Sequence, residues 1–228
     1  MKLKNKQLII AIVLCYFSFL YIESFKIASL YNYVPAIKYF SIILCFINAL
    51  IIGKKGHDII DTRLLQFAMF LTLVADFFLL LTQYFIPGIL VFCLIQIIYV
   101  IRHSRYSKFN IKLYIVAALM LVILSLIVRI TSLNANIWLL NLGIIYAIIS
   151  LCSVFTALST IKYKIYPKNT VILIILGIGL LFLCDINVAL YNLNQNNYLS
   201  GFLIWFFYLP SQLFLSQSGN YTVCNKSL

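Results

Sequence analysis

Residues 64–82 read LLQFAMFLTLVADFFLLLT, and residues 171–190 read VILIILGIGLLFLCDINVAL. Each is an apolar run of about 20 residues, the length that carries an α-helix across a bilayer. Each is broken by a single carboxylate, Asp76 in the first and Asp185 in the second. An aspartate at the centre of a membrane helix costs about 2.5–3.5 kcal/mol on insertion scales. Residues kept at that cost line a site or a water-filled cavity, or serve in protonated form as hydrogen-bond glue between helices. Only five of the 228 residues are acidic, so two at such depth single out these runs.

The rest of the chain has the same character. Hydrophobic residues make up 64% and charged ones 10%, with a mean hydropathy of +1.06, where a soluble domain is about 25% charged. Eight apolar runs can be read, at 7–25, 34–52, 63–84, 86–102, 111–130, 137–161, 170–192 and 199–217. Continuous runs exclude a β-barrel, whose strands would alternate. The expectation is an all-α, polytopic bundle of eight transmembrane helices forming one integral membrane domain over 1–228. The first run follows MKLKNK and exits through LYIESFK, with no small-x-small cleavage site, so it is expected to be a retained helix.

The net charge of +12 would suit a nucleic-acid binder, but the basic residues lie in short clusters between apolar runs, so no nucleic acid is expected and the bilayer is. With the N-terminus in the cytoplasm, fourteen basic residues fall inside and three outside: Lys26, Lys38 and Arg129. This positive-inside bias implies that both termini are cytoplasmic in a multi-pass cell-membrane protein. The six cysteines show no CxxC or metal spacing, and His57 and His103 read as inner-loop residues. With no HExxH, GxSxG or phosphate-binding glycine loop, neither a metal nor another cofactor is expected.

Counting 1.5 Å per residue from each helix's outer end, Lys38 lies about 6 Å down, Trp205 about 9 Å, Asp185 about 10 Å and Asp76 about 12 Å. Tyr208 and Gln96 follow near 14–15 Å, with Tyr99 and Gln212 near about 20 Å. In the last helix Gly201, Trp205, Tyr208 and Gln212 share one face, and Gln96, Tyr99 and His103 share a face of the fourth. Such stripes are often interhelical glue, but a stripe that also supplies two carboxylates resembles a cavity wall. A weak internal echo pairs Asp76, Gly88, Gln96 and Tyr99 with Asp185, Gly201, Tyr208 and Gln212. Helices one to four and five to eight would then form two parallel four-helix repeats.

These residues carry a resemblance to the YhhN family of membrane proteins, which includes lysoplasmalogenases. The best match is WFFYLPSQ at 205–212, which supplies Trp205, Tyr208 and Gln212. Pro35 and Lys38 stand near each other where the family has an adjacent lysine–proline pair. Asp76 follows Ala75 where the family prefers glycine, and Asp185 follows Cys184 where it prefers serine. Gln96 occupies the position of a family histidine, with Tyr99 kept in QIIY.

The resemblance implies hydrolysis of the vinyl ether bond of a lysophospholipid, giving a fatty aldehyde and a glycerophospho-head group. That chemistry needs an acid and a nearby negative charge. Removal from water favours a protonated carboxyl, and a second carboxyl separates the two titrations. Asp76 and Asp185 are therefore expected to act as an acid/base pair, without a choice of which is the acid. Tyr99 or Tyr208 would orient water, Lys38 would hold the phosphate, and Gln96, Trp205 and Gln212 would line the site. A small proton-coupled transporter or channel could use the same carboxylates, and a scaffold could use them as glue.

Overall fold

The computed structural model describes residues 2–52, 56–82, 84–105, 115, 119, 137–164, 166–193 and 197–220. Eight α-helices cover most of them, and no strand occurs among the described residues. They are α1 (Lys2–Ser24), α2 (Ala28–Tyr31), α3 (Val34–Ile52), α4 (Ile59–Asp76), α5 (Phe85–Ser104), α6 (Ile137–Tyr163), α7 (Lys168–Leu193) and α8 (Tyr198–Gln217). All except the single turn of α2 contain a segment long and apolar enough to cross a membrane, giving seven spans among the described residues. Apart from residues 115 and 119, the expected span at 111–130 lies outside the described residues.

The seven long helices close into a ring in the order α1, α3, α4, α5, α6, α7, α8, and α8 also packs against α1, α3 and α4. Large apolar side chains such as Phe17, Phe40, Phe67, Leu94, Ile172 and Phe206 face outward, a surface suited to lipid tails. The interior contains Phe19, Ile42, Leu65, Met69, Ile95, Ile178, Leu181 and Leu209, with polar side chains threaded between them. Membrane helices gain little from apolar burial against one another, so close packing and hydrogen bonds must hold the ring. Gly177 of α7 provides such an approach, since a Cβ there would meet Leu215 Cγ of α8 at 2.6 Å. Asn48 Nδ2 of α3 donates to Ser216 Oγ of α8 at 2.9 Å.

Two ends of the ring are fixed by polar contacts. At the base, Arg102 Nε and Nη2 donate to both oxygens of Asp61 at 3.0 and 3.1 Å, while Arg102 Nη1 donates to Ser218 Oγ at 2.9 Å. Tyr166 OH donates to Asp61 Oδ1 at 2.7 Å. Burial holds the Tyr166 phenol above its ordinary range, so it remains a donor. At the rim, Lys38 pairs with Glu23, and Tyr198 OH donates to the Glu23 carbonyl at 3.3 Å. Helix α5 runs from rim to base, where its Arg102 meets Asp61.

Several local features depart from the sequence reading. The third span begins at Ile59 rather than 63, because Asp58 caps it by accepting from the Asp61 amide at 2.6 Å. His103, expected in an inner loop, is fully buried in the last turn of α5, where its ring stacks on Tyr99 at 5.9 Å. Arg102, counted among the inner-side charges, has its guanidinium wholly enclosed by the base network. Pro210 lies inside α8 and has no N–H for the Phe206 carbonyl one turn earlier. Tyr16 OH of α1 donates to that carbonyl at 3.0 Å, so the proline is matched by a hydroxyl from a neighbouring helix.

Candidate functional site

Asp76 is the last residue of α4, and a π-helical turn over Phe77–Leu81 follows it directly. A π turn widens the helix by one residue, a departure frequent at functional positions. Here it leaves Leu79 against Gly88 of α5, where a Cβ would come within 2.5 Å of Leu79 Cδ2. The Asp76 side chain is buried and accepts a hydrogen bond at 2.8 Å from Tyr208 OH of α8. Trp205, one turn earlier on α8, meets the Tyr208 ring edge-on at 5.1 Å.

Asp185 lies on α7 and accepts from Ser150 Oγ of α6 at 2.8 Å. Tyr146, one turn earlier on α6, also hydrogen-bonds the Asp185 side chain. Gln96 Nε2 of α5 donates to Tyr146 OH at 3.4 Å and to Ser150 Oγ at 3.3 Å. Gln96 thus stands behind the two hydroxyl groups that hold Asp185, rather than against the carboxylate.

Phe92 of α5 links the surroundings of the two carboxylates. The Phe92 ring touches both Tyr208 and Tyr146 edge-on, at 6.2 and 6.4 Å. Of the five acidic residues, Glu23, Asp58 and Asp61 are paired with Lys38, Arg105 and Arg102. Asp76 and Asp185 alone, among the described residues, are held by hydroxyl groups with no basic side chain in an ion pair. An acid held that way can carry or release a proton without breaking a salt bridge.

The remaining expected site residues divide into two groups. Lys38 Nζ lies 4.7 Å from the Trp205 ring centroid and 5.4 Å from that of Phe19, so it joins the aromatic column leading to Tyr208. It is not a lone point charge, because Glu23 neutralises it. Tyr99 and Gln212 make no hydrogen bond to either carboxylate among the described residues. Tyr99 OH donates to Met69 sulfur at 3.6 Å, and Gln212 is fully buried with no hydrogen-bond partner for its amide among the described residues.

Sequence reasoning missed Tyr146, Ser150 and Glu23. A hydroxyl stripe on α6 was visible at Ser150, Ser153, Thr156 and Thr160. Such groups usually turn back onto their own helix, as Thr156 and Thr160 do by donating to the Ser153 and Ala157 carbonyls. Nothing in the spacing distinguishes Ser150 as the one that faces a carboxylate.

The model of the YhhN family matches residues 33–219, from just before α3 to the end of the base network. No curated protein and no solved structure matches the chain.

Proposed function

The chain belongs to the YhhN family, and from that premise we propose that it is a membrane-embedded hydrolase of the vinyl ether bond in lysoplasmalogens. One observation supports this most: Asp76, buried, and Asp185, half-buried, each accept from a hydroxyl group of a neighbouring helix, and neither is in an ion pair. Vinyl ether hydrolysis begins with a proton from one carboxyl to the alkene carbon farther from the ether oxygen. The carbon bonded to that oxygen becomes an oxocarbenium ion, which the remaining carboxylate stabilises. Water adds there, losing its proton to the carboxylate, and the hemiacetal collapses to an aldehyde and a free glycerol hydroxyl. The proton used in the first step is returned, so neither metal nor redox cofactor enters the balance.

Tyr208 and Ser150 fix the carboxylates, and Gln96 holds the Ser150 and Tyr146 hydroxyls. The alkenyl chain runs along the apolar interior, and the head group lies toward Lys38 at the rim. The base carries the clustered basic residues and faces the cytoplasm, as do both termini.

Purified protein given a lysoplasmalogen should release fatty aldehyde, while a saturated ether lysolipid should give none. Asp76→Asn and Asp185→Asn keep size and polarity but remove the titrating proton. Each should abolish aldehyde release while the protein remains folded and monodisperse. Near-normal turnover by either variant removes that residue from the mechanism. Carboxyls free of ion pairs also suit a proton relay, so proton flux in protein-loaded liposomes without aldehyde release would favour a transporter.

A further inference from the structure

We infer that Glu23 and Lys38 form a receptor for a zwitterionic phospho-ammonium head group, with Lys38 taking the phosphate and Glu23 the primary amine. The inference rests on the lysolipid reading above and adds to it a specificity residue that lies outside the family match at 33–219.

Glu23 is on the last turn of α1 and Lys38 on the second turn of α3, and their side chains form an ion pair at the rim. Their side chains are 18% and 8% exposed, so the carboxylate is the more accessible of the two. Tyr198 of α8 holds the Glu23 backbone in place, and its ring carries Lys26 Nζ at 5.0 Å. Below Lys38 the contacts are continuous. The ammonium lies over Trp205, Trp205 meets Tyr208, and Tyr208 donates to Asp76.

Charge decides which head group can enter. To receive a phosphate, Lys38 must leave Glu23. An anionic phosphate monoester would then strand Glu23, partly buried and close to a second negative group, which is costly. A phosphoethanolamine brings its own cation and replaces both halves of the internal pair. A protonated primary amine also donates hydrogen bonds to a carboxylate, which a quaternary ammonium cannot do.

The test uses non-cleavable alkyl-ether lysolipids, so binding is read separately from hydrolysis. Trp205 fluorescence in a Trp138→Phe background reports occupancy beside Lys38. Phosphoethanolamine lysolipid should bind at least about tenfold more tightly than the phosphate monoester, a ratio of about 1.4 kcal/mol. Glu23→Gln should erase that ratio by weakening the first ligand and strengthening the second. The charge-exchanged double variant, Glu23→Lys with Lys38→Glu, keeps an ion pair for folding and should lose the preference as well. An unchanged ratio in Glu23→Gln, or equal tightening for every head group, would make the pair a plain clamp between α1 and α3 and overturn the inference. Head-group-dependent binding without aldehyde release from the cleavable lipid would sink the hydrolase and leave the receptor standing. Absence of any lysolipid binding would sink both.

Discussion

Tyr208 places its hydroxyl oxygen 2.8 Å from a carboxylate oxygen of Asp76, to which it donates, and in an apolar interior such a contact is difficult to replace. A hydrogen bond to a charged group contributes about 1.5–3 kcal/mol, so Tyr208→Phe should lower kcat by about 10- to 100-fold with little change in KM. Steady-state aldehyde release checks this, and a pure KM effect would move Tyr208 from the carboxylate to the substrate. Asp61 offers a contrast of role. Asp61→Asn leaves Arg102 buried with its charge unmatched, which should cost about 3–5 kcal/mol of stability. Thermal denaturation in detergent should show a melting point far below that of Asp76→Asn. The sequence exposed Asp76 and Asp185 because each interrupts a long apolar run. It concealed their partners, because Tyr208 lies 132 residues from Asp76 and Ser150 lies 35 from Asp185. It also concealed Asp61, since the stretch GHDIIDTR at 56–63 reads as a polar loop until Asp58 is seen to cap a helix through it.

The helices follow local composition closely, and the departures have identifiable causes. Hydropathy locates α5 and α8 to within a few residues because nothing at their ends competes with the apolar run. It does not reveal the π turn after Asp76, which arises where the chain leaves α4 and accommodates Leu79 over Gly88. The α7–α8 contact should be intolerant of bulk. Gly177→Leu would force its side chain into Leu215 and the adjacent backbone, so it should reduce both melting temperature and detergent-stable yield. Tyr16→Phe tests the pairing of Pro210 with α1. It leaves the Phe206 carbonyl without its hydroxyl donor and should cost about 1 kcal/mol, lowering Tm by about 2–4 °C. Pro210→Ala in the same protein should recover most of that loss, because an alanine restores the N–H inside α8.

At the scale of the molecule, the basic residues make a topological prediction. A reporter fused after Leu228 should be active only on the cytoplasmic side, and an external signal would overturn the positive-inside reading. Ring closure was not legible, because α1 joins α8 through side chains that sequence alone cannot pair. The expected parallel repeat includes residues outside the described set, so its symmetry rests on the sequence echo alone.

The base network has a consequence for how the protein is made. Asp61 leaves the ribosome 41 residues before Arg102, about 2–8 s earlier at ordinary synthesis rates. During that interval α4 has a carboxylate with no cation to meet it, three residues from its water-facing end. Tyr166 and Ser218 follow later still, so the last hydrogen bond of the base forms only as the chain nears completion.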